Sequence, residues 1–283
     1  MRVKSFCALV FALAVGVGVG VGDGALAADL PVKAPIYSAA PVESSWAGLY
    51  VGVALGGKWT DAKWTTTQLV DPPAAAFGTA VIDASSPDRF RPAAFRVGGY
   101  AGYNWQTGPW VYGLEIDAAW SDASDTHAGV PGCRIECAVG FPGPGVDSSV
   151  IRALWDVSLR PRVGYLVTPE TLVYGTGGVA WQSIEVSGTC ANTLADPVCL
   201  ISPPFAVKTQ TDRHVLTGWT IGGGIERKFG AWLLRGEYRY SDFGNVSGVL
   251  FAGQPSADPG SDAVHYSVST RTHTATLGLA YKF

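Results

Sequence analysis

Alternation of apolar residues with small or polar ones constrains this chain more than any other feature. It recurs eight times from Trp46 onward. "WAGLYVGVALGGKW" sets Leu49, Val51, Val53 and Leu55 against Gly48, Tyr50, Gly52 and Ala54. "FRVGGYAGYNWQ" sets Phe95, Val97, Ala101, Tyr103 and Trp105 against Arg96, Gly98, Tyr100, Gly102, Asn104 and Gln106. "WVYGLEIDAAW" and "WDVSLRPRVGY" follow the same rule, with Glu115 and Asp117, then Asp156, Ser158, Arg160 and Arg162, on the polar side. "TLVYGTGGVAWQ" alternates without declaring its faces. "GWTIGGGIERKF", "WLLRGEYRY" and the closing "THTATLGLAYKF" complete the set. A period of two residues is the mark of a strand, not a helix.

The connections choose among all-β architectures, because a soluble sandwich also has one polar face. Three links are short, "TGP", "VTPE" and "FGA". The others are long, running from about Thr60 to Arg91, Ser121 to Ser149, Ser187 to Arg213 and Val246 to Val264. Long and short links in alternation are the pattern of an up-and-down outer-membrane barrel, with long external loops and short periplasmic turns. Each run supplies the roughly 9–11 residues that a tilted strand needs to cross a bilayer. Aromatic residues mark the strand ends (Trp46, Trp59, Trp105, Trp110, Trp120, Trp181, Trp232, Tyr281, Phe283), where interfacial girdles form. The expected fold is all-β, an eight-stranded antiparallel transmembrane barrel over residues 46–283. Its last strand pairs with its first, so that no backbone edge meets lipid.

The first 27 residues read as a secretory signal peptide, with Arg2 and Lys4, an apolar run from Phe6 to Gly22, and Ala25-Leu26-Ala27 as the cleavage site. Residues 28–45 form a Pro- and Ala-rich periplasmic lead-in. Loss of the signal leaves the chain slightly more acidic than its full-length formal charge of −3. It has no basic run to grip a phosphate backbone, so nucleic acid is not an expected partner. Cys133, Cys137, Cys190 and Cys199 remain, and an even number in an exported chain points to disulfides. Cys133 with Cys137 and Cys190 with Cys199 are the nearest pairs, although four cysteines allow three connectivities.

"WAGLYVGVALGGKW", "GGYAGYNWQ", "LRPRVGY", "VYGTGGVAW", "GGGIERKF", "GEYRYSDFG" and "LGLAYKF" together resemble the small outer-membrane immunogenic, porin-like β-barrel proteins of α-class Gram-negative bacteria. The resemblance covers roughly residues 46–283, strands included and loops excluded. It implies an OmpA-like barrel in the outer membrane, among outer-membrane lipid and lipopolysaccharide. It also implies that the C-terminal aromatics Tyr281 and Phe283 are read by the outer-membrane assembly machinery. It implies little about activity, since the family's porin label describes location better than transport.

Function is sought in the barrel interior. Arg96, Arg152, Arg160, Arg162, Lys228, Arg235 and Arg239 fall on or near the presumed inner face, with Glu115, Asp117, Asp156, Glu226 and Glu237. Eight strands enclose a space that side chains nearly fill, and buried charges must be paired. The expectation is therefore a plug built chiefly from Arg96, Glu115, Asp117, Arg160, Arg162, Arg235, Glu237 and Arg239. A narrow diffusion channel is the alternative. Glu115 and Asp117 should meet Arg160 and Arg162 directly from neighbouring strands, and the "WLLRGEYRY" strand should reach them across the interior. An enzyme or haem receptor is a third reading. His127, His214 and His265 lie in or beside the long links, each with an Asp within three residues, and His273 lies in the last strand. No "GxSxG" element accompanies them, and their spacing fits no zinc signature. No catalytic residue, metal ligand or cofactor is assigned. The glycines of "TIGGGIE" lack a following helix and make no nucleotide loop.

Overall fold

The computed structural model describes residues 45–70, 82–133, 147–191, 207–252 and 263–283. The signal peptide expected over 1–27, and all but the last residue of the lead-in, lie outside them. Ten strands appear in the described residues: β1 (Gly48–Val70), β2 (Asp88–Phe90), β3 (Ala93–Thr107), β4 (Trp110–Ser121), β5 (Ala123–Ala128), β6 (Ser148–Thr168), β7 (Thr171–Ala191), β8 (Val207–Phe229), β9 (Trp232–Leu250) and β10 (Ala263–Lys282).

They occupy eight positions in a closed antiparallel ring, β1-β3-β4-β6-β7-β8-β9-β10, with β10 paired back to β1. β2 continues the position of β3 along β1, past a break at Arg91-Pro92. β5 continues that of β4 along β6, past Asp122. Proline has no N–H to give the ladder, yet the Pro92 carbonyl still accepts from Thr60 N at 3.0 Å. Following paired residues once round the ring leads from Val51 through Ala101, Ile116, Leu159, Val179, Trp219, Asp242 and Arg271 to Asp61. That offset tilts the strands by about 40° at ordinary strand spacings.

Below this tilt lies a lipid-facing belt. Leu49, Val51, Val53, Leu55 and Trp59 point outward from β1, as do Trp120, Trp155 and Trp219 at one end and Trp105, Trp110, Tyr165, Trp232 and Phe283 at the other. From Leu49 to Trp59 the belt rises about 25 Å, the height of a barrel's apolar band. The chain terminus is tied into it, with Phe283 N donating to Leu49 O at 2.9 Å.

The strands do not stop at the outer girdle, and this corrects the long external loops expected from the sequence. β1 and β8 each run 23 residues, and β6 and β7 each run 21. Beyond Trp59 the alternation changes phase. Ala62 and Trp64 turn inward and are buried, while Asp61 and Lys63 turn outward. Outside the bilayer water lies around the wall, so the apolar side must face the interior. A pattern sought as apolar-outward is lost at that point, and the segment reads as a loop.

Above the girdle the wall parts. β8 pairs with β9 only as far as Trp219 and Asp242, and β3 with β4 only as far as Arg96 and Ser121. The outer part is thus two leaves, β5-β6-β7-β8 and β9-β10-β1-β2. Ala123, Ile151, Ile184 and Leu216 of one leaf pack with Trp64, Phe90, Phe243, Tyr266 and Val268 of the other.

Candidate functional site

The inner face at membrane height is an ionic network. Period-two alternation delivers its members: Lys58 from β1, Arg96 from β3, Glu115 and Asp117 from β4, Asp156, Arg160 and Arg162 from β6, Glu226 from β8, and Arg235, Glu237 and Arg239 from β9. Their side chains are at most 8% exposed.

Two joined clusters share the charge. In the outer one, Asp156 receives Lys58 Nζ at 3.2 Å and Arg96 Nη2 at 2.5 Å. Asp117 receives Arg96 Nη2 at 2.6 Å and Arg239 Nη1 at 2.7 Å, and Ser158 Oγ also donates to it. In the inner cluster, Glu115 accepts Arg160 Nη2 at 2.8 Å, Arg235 Nη1 at 2.6 Å and the Tyr50 hydroxyl at 2.8 Å. Arg162 pairs with Glu226 at 2.9 Å. Arg160 joins the clusters, reaching Asp117 at 3.2 Å and Glu237 at 2.9 Å. Arg162 lies over the Tyr174 ring at 4.0 Å and Arg235 over Tyr100 at 3.6 Å, which turns aromatic faces into further partners for the cations. Guanidinium forks on carboxylates are the strong, geometrically fixed kind of hydrogen bond.

Apolar layers cover both ends of this network. Below it Trp46 is fully buried with Tyr50, Val111, Leu172 and Leu233. Its backbone N–H donates to Gln106 Oε1 at 2.7 Å and its indole N–H to Pro169 O at 3.0 Å. Above it stands the core of the two leaves. Between network and upper layer, Asp156, Gln182, Arg239, Phe243 and Thr272 line a void of about 10 Å³, room for about one water molecule.

The eight residues expected to form the plug all lie in this network, and Asp156 and Glu226 join them. Arg152 does not. It sits on the outer face above the girdle, with Asp122 at 2.7 Å and Glu185 at 3.3 Å. A bulge in β6 between Ala153 and Asp156 shifts the parity that placed it inside. Lys228 lies at the periplasmic mouth, donating to Ser45 O at 2.6 Å. Sequence reasoning missed Lys58, whose even number matches Tyr50 and Ala54, and the phenol partners Tyr50 and Tyr174.

The histidines lie on strands and not in loops. His127, on β5, contacts Asp88 at 2.6 Å and stacks on Phe90 at 4.2 Å. His214, on β8, donates from Nε2 to the Tyr266 hydroxyl at 3.0 Å, and that hydroxyl donates to Asp212 at 2.9 Å. Burial, and then the Asp212 contact, push the Tyr266 phenol well above its ordinary range. His265 and His273 are on β10, and His273 Nδ1 contacts the Tyr238 hydroxyl at 2.6 Å. Cys133 and Cys190 are each disulfide-bonded, while Cys137 and Cys199 lie outside the described residues.

Comparison with known proteins places these features in context. The family model described as "outer membrane protein beta-barrel domain" matches residues 25–283. The 25 kDa outer-membrane immunogenic protein of Brucella abortus is 32% identical over 216 residues, covering 76% of this chain and 73% of its own length. The 31 kDa outer-membrane immunogenic protein of Brucella melitensis is 31% identical over 264 residues, covering 92% of this chain and 93% of its own. Among solved structures, the outer membrane protein OprG of Pseudomonas aeruginosa aligns at a TM-score of 0.45 and 16% identity, over 84% of this chain and 96% of that one.

Proposed function

The chain belongs to the outer-membrane β-barrel family, and on that premise we propose that it is a structural, non-conducting and non-enzymatic barrel that presents a folded β-rim to the cell exterior. One observation carries the reading: the charges of the inner face are paired with one another and roofed at both ends by apolar layers. A solute would have to break ion pairs whose partners would then stand uncompensated in a dry interior, which costs several kcal/mol per ion. It would also have to displace Trp46 below or the two-leaf core above.

The rim histidines do not argue for catalysis. A general base needs reach to a substrate proton, and the His214–Tyr266–Asp212 chain is turned into the packing between the leaves. The outward residues of the rim are then the surface available to antibodies or other partners.

Liposome swelling with small sugars and amino acids tests the transport half, and hydrolysis of lipid and peptide substrates, with His214→Ala as control, tests the other. Swelling at the rate of a small diffusion channel, or turnover lost in His214→Ala, would replace this reading.

A further inference from the structure

The ionic network does not balance. Among the described residues, Lys58 and five arginines of the inner face meet five carboxylates. The surplus lies in the outer cluster. In the inner cluster Arg160, Arg162 and Arg235 match Glu115, Glu226 and Glu237 one for one. In the outer cluster Lys58, Arg96 and Arg239 share only Asp117 and Asp156. One positive charge is left over, at a depth where an uncompensated ion is strongly disfavoured.

The void of about 10 Å³ adjoins that outer cluster, with Asp156 and Arg239 in its wall. Two donors of the wall residues are unused. Gln182 is fully buried, and its Oε1 accepts from Thr272 Oγ1 at 3.0 Å, but its Nε2 has no partner among the described residues. Arg239 Nε has none either. The acceptors nearby are already engaged. Asp156 Oδ1 takes Arg96 Nη2 at 2.5 Å and Arg239 Nη2 at 3.3 Å, and its Oδ2 takes Lys58 Nζ at 3.2 Å. Thr272 has given its hydroxyl proton to Gln182, and Ser241 gives its own to Thr220 Oγ1 at 2.8 Å. The void is therefore bordered by idle N–H groups and by surplus positive charge.

We infer that this void holds one small monovalent anion, a chloride ion, as the counter-charge that the network lacks. Size selects the ion, since room for about one water admits a single sphere of similar bulk and excludes phosphate, sulfate and carboxylates. Charge selects its sign, because a cation would face donors and an existing positive surplus. A water molecule would satisfy the N–H groups but leave the buried charge uncompensated. Chloride does both, as the acceptor of charge-assisted bonds from Gln182 and Arg239. The inference rests on the interior being dry, as the closed-barrel reading has it.

The test is to refold the full chain in detergent in sodium chloride, sodium bromide or sodium gluconate at one ionic strength. Thermal midpoints are then read by heat-modifiable gel migration, and crystals grown in bromide are examined for anomalous scattering. Chloride and bromide should raise the midpoint above that in gluconate. Bromide should give a peak within hydrogen-bond reach of Gln182 Nε2 and Arg239 Nε. Gln182→Leu, which keeps every charge, should need about tenfold more chloride for half the effect, as expected when a hydrogen bond to a charged group is lost. Lys58→Met, which removes the surplus cation, should abolish the halide dependence; if it does not fold, Gln182→Leu and the bromide peak decide. Equal midpoints in all the salts, or a void without bromide, would overturn the inference. So would a halide response that both variants leave unchanged. Planar-bilayer conductance separates this failure from that of the closed-barrel reading. A silent parent without the bromide peak defeats the inference alone, and a conducting parent without it defeats both.

Discussion

Arg160 on β6 and Glu237 on β9 form an ion pair at 2.9 Å across the barrel interior, although no ladder joins their strands. Their meeting depends on the ring being narrow enough for side chains to span it. The pair therefore links opposite walls, which backbone hydrogen bonds cannot do. Its energetic role follows from burial: the Arg160 side chain is 1% exposed and that of Glu237 is 4%. Replacing both partners with well-packed apolar groups is tolerable, but removing one strands a charge.

Glu237→Ala should accordingly destabilise the folded barrel by about 3–5 kcal/mol, the usual cost of breaking a buried pair from one side. It also takes the acceptor from the Tyr174 hydroxyl, which donates to Glu237 at 2.7 Å. Heat-modifiable gel migration across a temperature series would measure the loss. An unchanged transition would mean that water reaches Arg160.

The rim should fail separately from the membrane belt. Trp64 is fully buried between the leaves, 6.0 Å from Phe90 and 5.1 Å from Tyr266 by ring centres. Trp64→Ala should cost about 3–5 kcal/mol. Amide exchange should quicken in the outer part of β1, near Ala62–Thr66, and stay slow between Leu49 and Leu55. Uniform quickening along β1 would contradict a separate outer core.

At the chain end, Phe283→Ser should lower the yield of inserted barrel. The ring is 69% exposed toward lipid and packs edge-on to Tyr281 at 5.2 Å, so an interfacial anchor is lost together with the aromatic terminus. Folded yield in membrane fractions equal to the parent's would remove this role.

For the cysteines we propose the local pairings Cys133–Cys137 and Cys190–Cys199. Each closes a short ring, so reduction should cost about 2–3 kcal/mol at most. Non-reducing peptide mapping should recover two local links. Cross-paired peptides would refute them.

Much of this was legible in the sequence, and the exceptions have physical causes. Inner and outer faces of β3, β4, β6 and β9 follow from parity, because lipid outside and charge inside give strong contrast. β7 withheld its faces because Leu172, Tyr174 and Ala180 point inward while Gly175 and Gly177 dilute the outer side, so both faces look alike. Parity alone puts Arg152 on the wrong face because the bulge between Ala153 and Asp156 is silent in a residue pattern. The rim reads as loops in the sequence because its strands keep the period of two but exchange the apolar face at Asp61–Ala62. The parting of β8 from β9 was out of reach, since pairing between distant strands leaves no mark on either strand alone.

The central claim is that the barrel is closed along its length, and ion conductance in a planar bilayer tests it most directly. The parent should be silent at every applied voltage. The Glu115→Ala, Asp117→Ala double variant should unfold at lower temperature, because it leaves Arg96, Arg160, Arg235 and Arg239 short of acceptors. It should nonetheless stay silent, since the Trp46 layer and the two-leaf core still cover both ends. Steady conductance from the parent, with only its ion preference changed in the double variant, would contradict the account and make the barrel a diffusion channel.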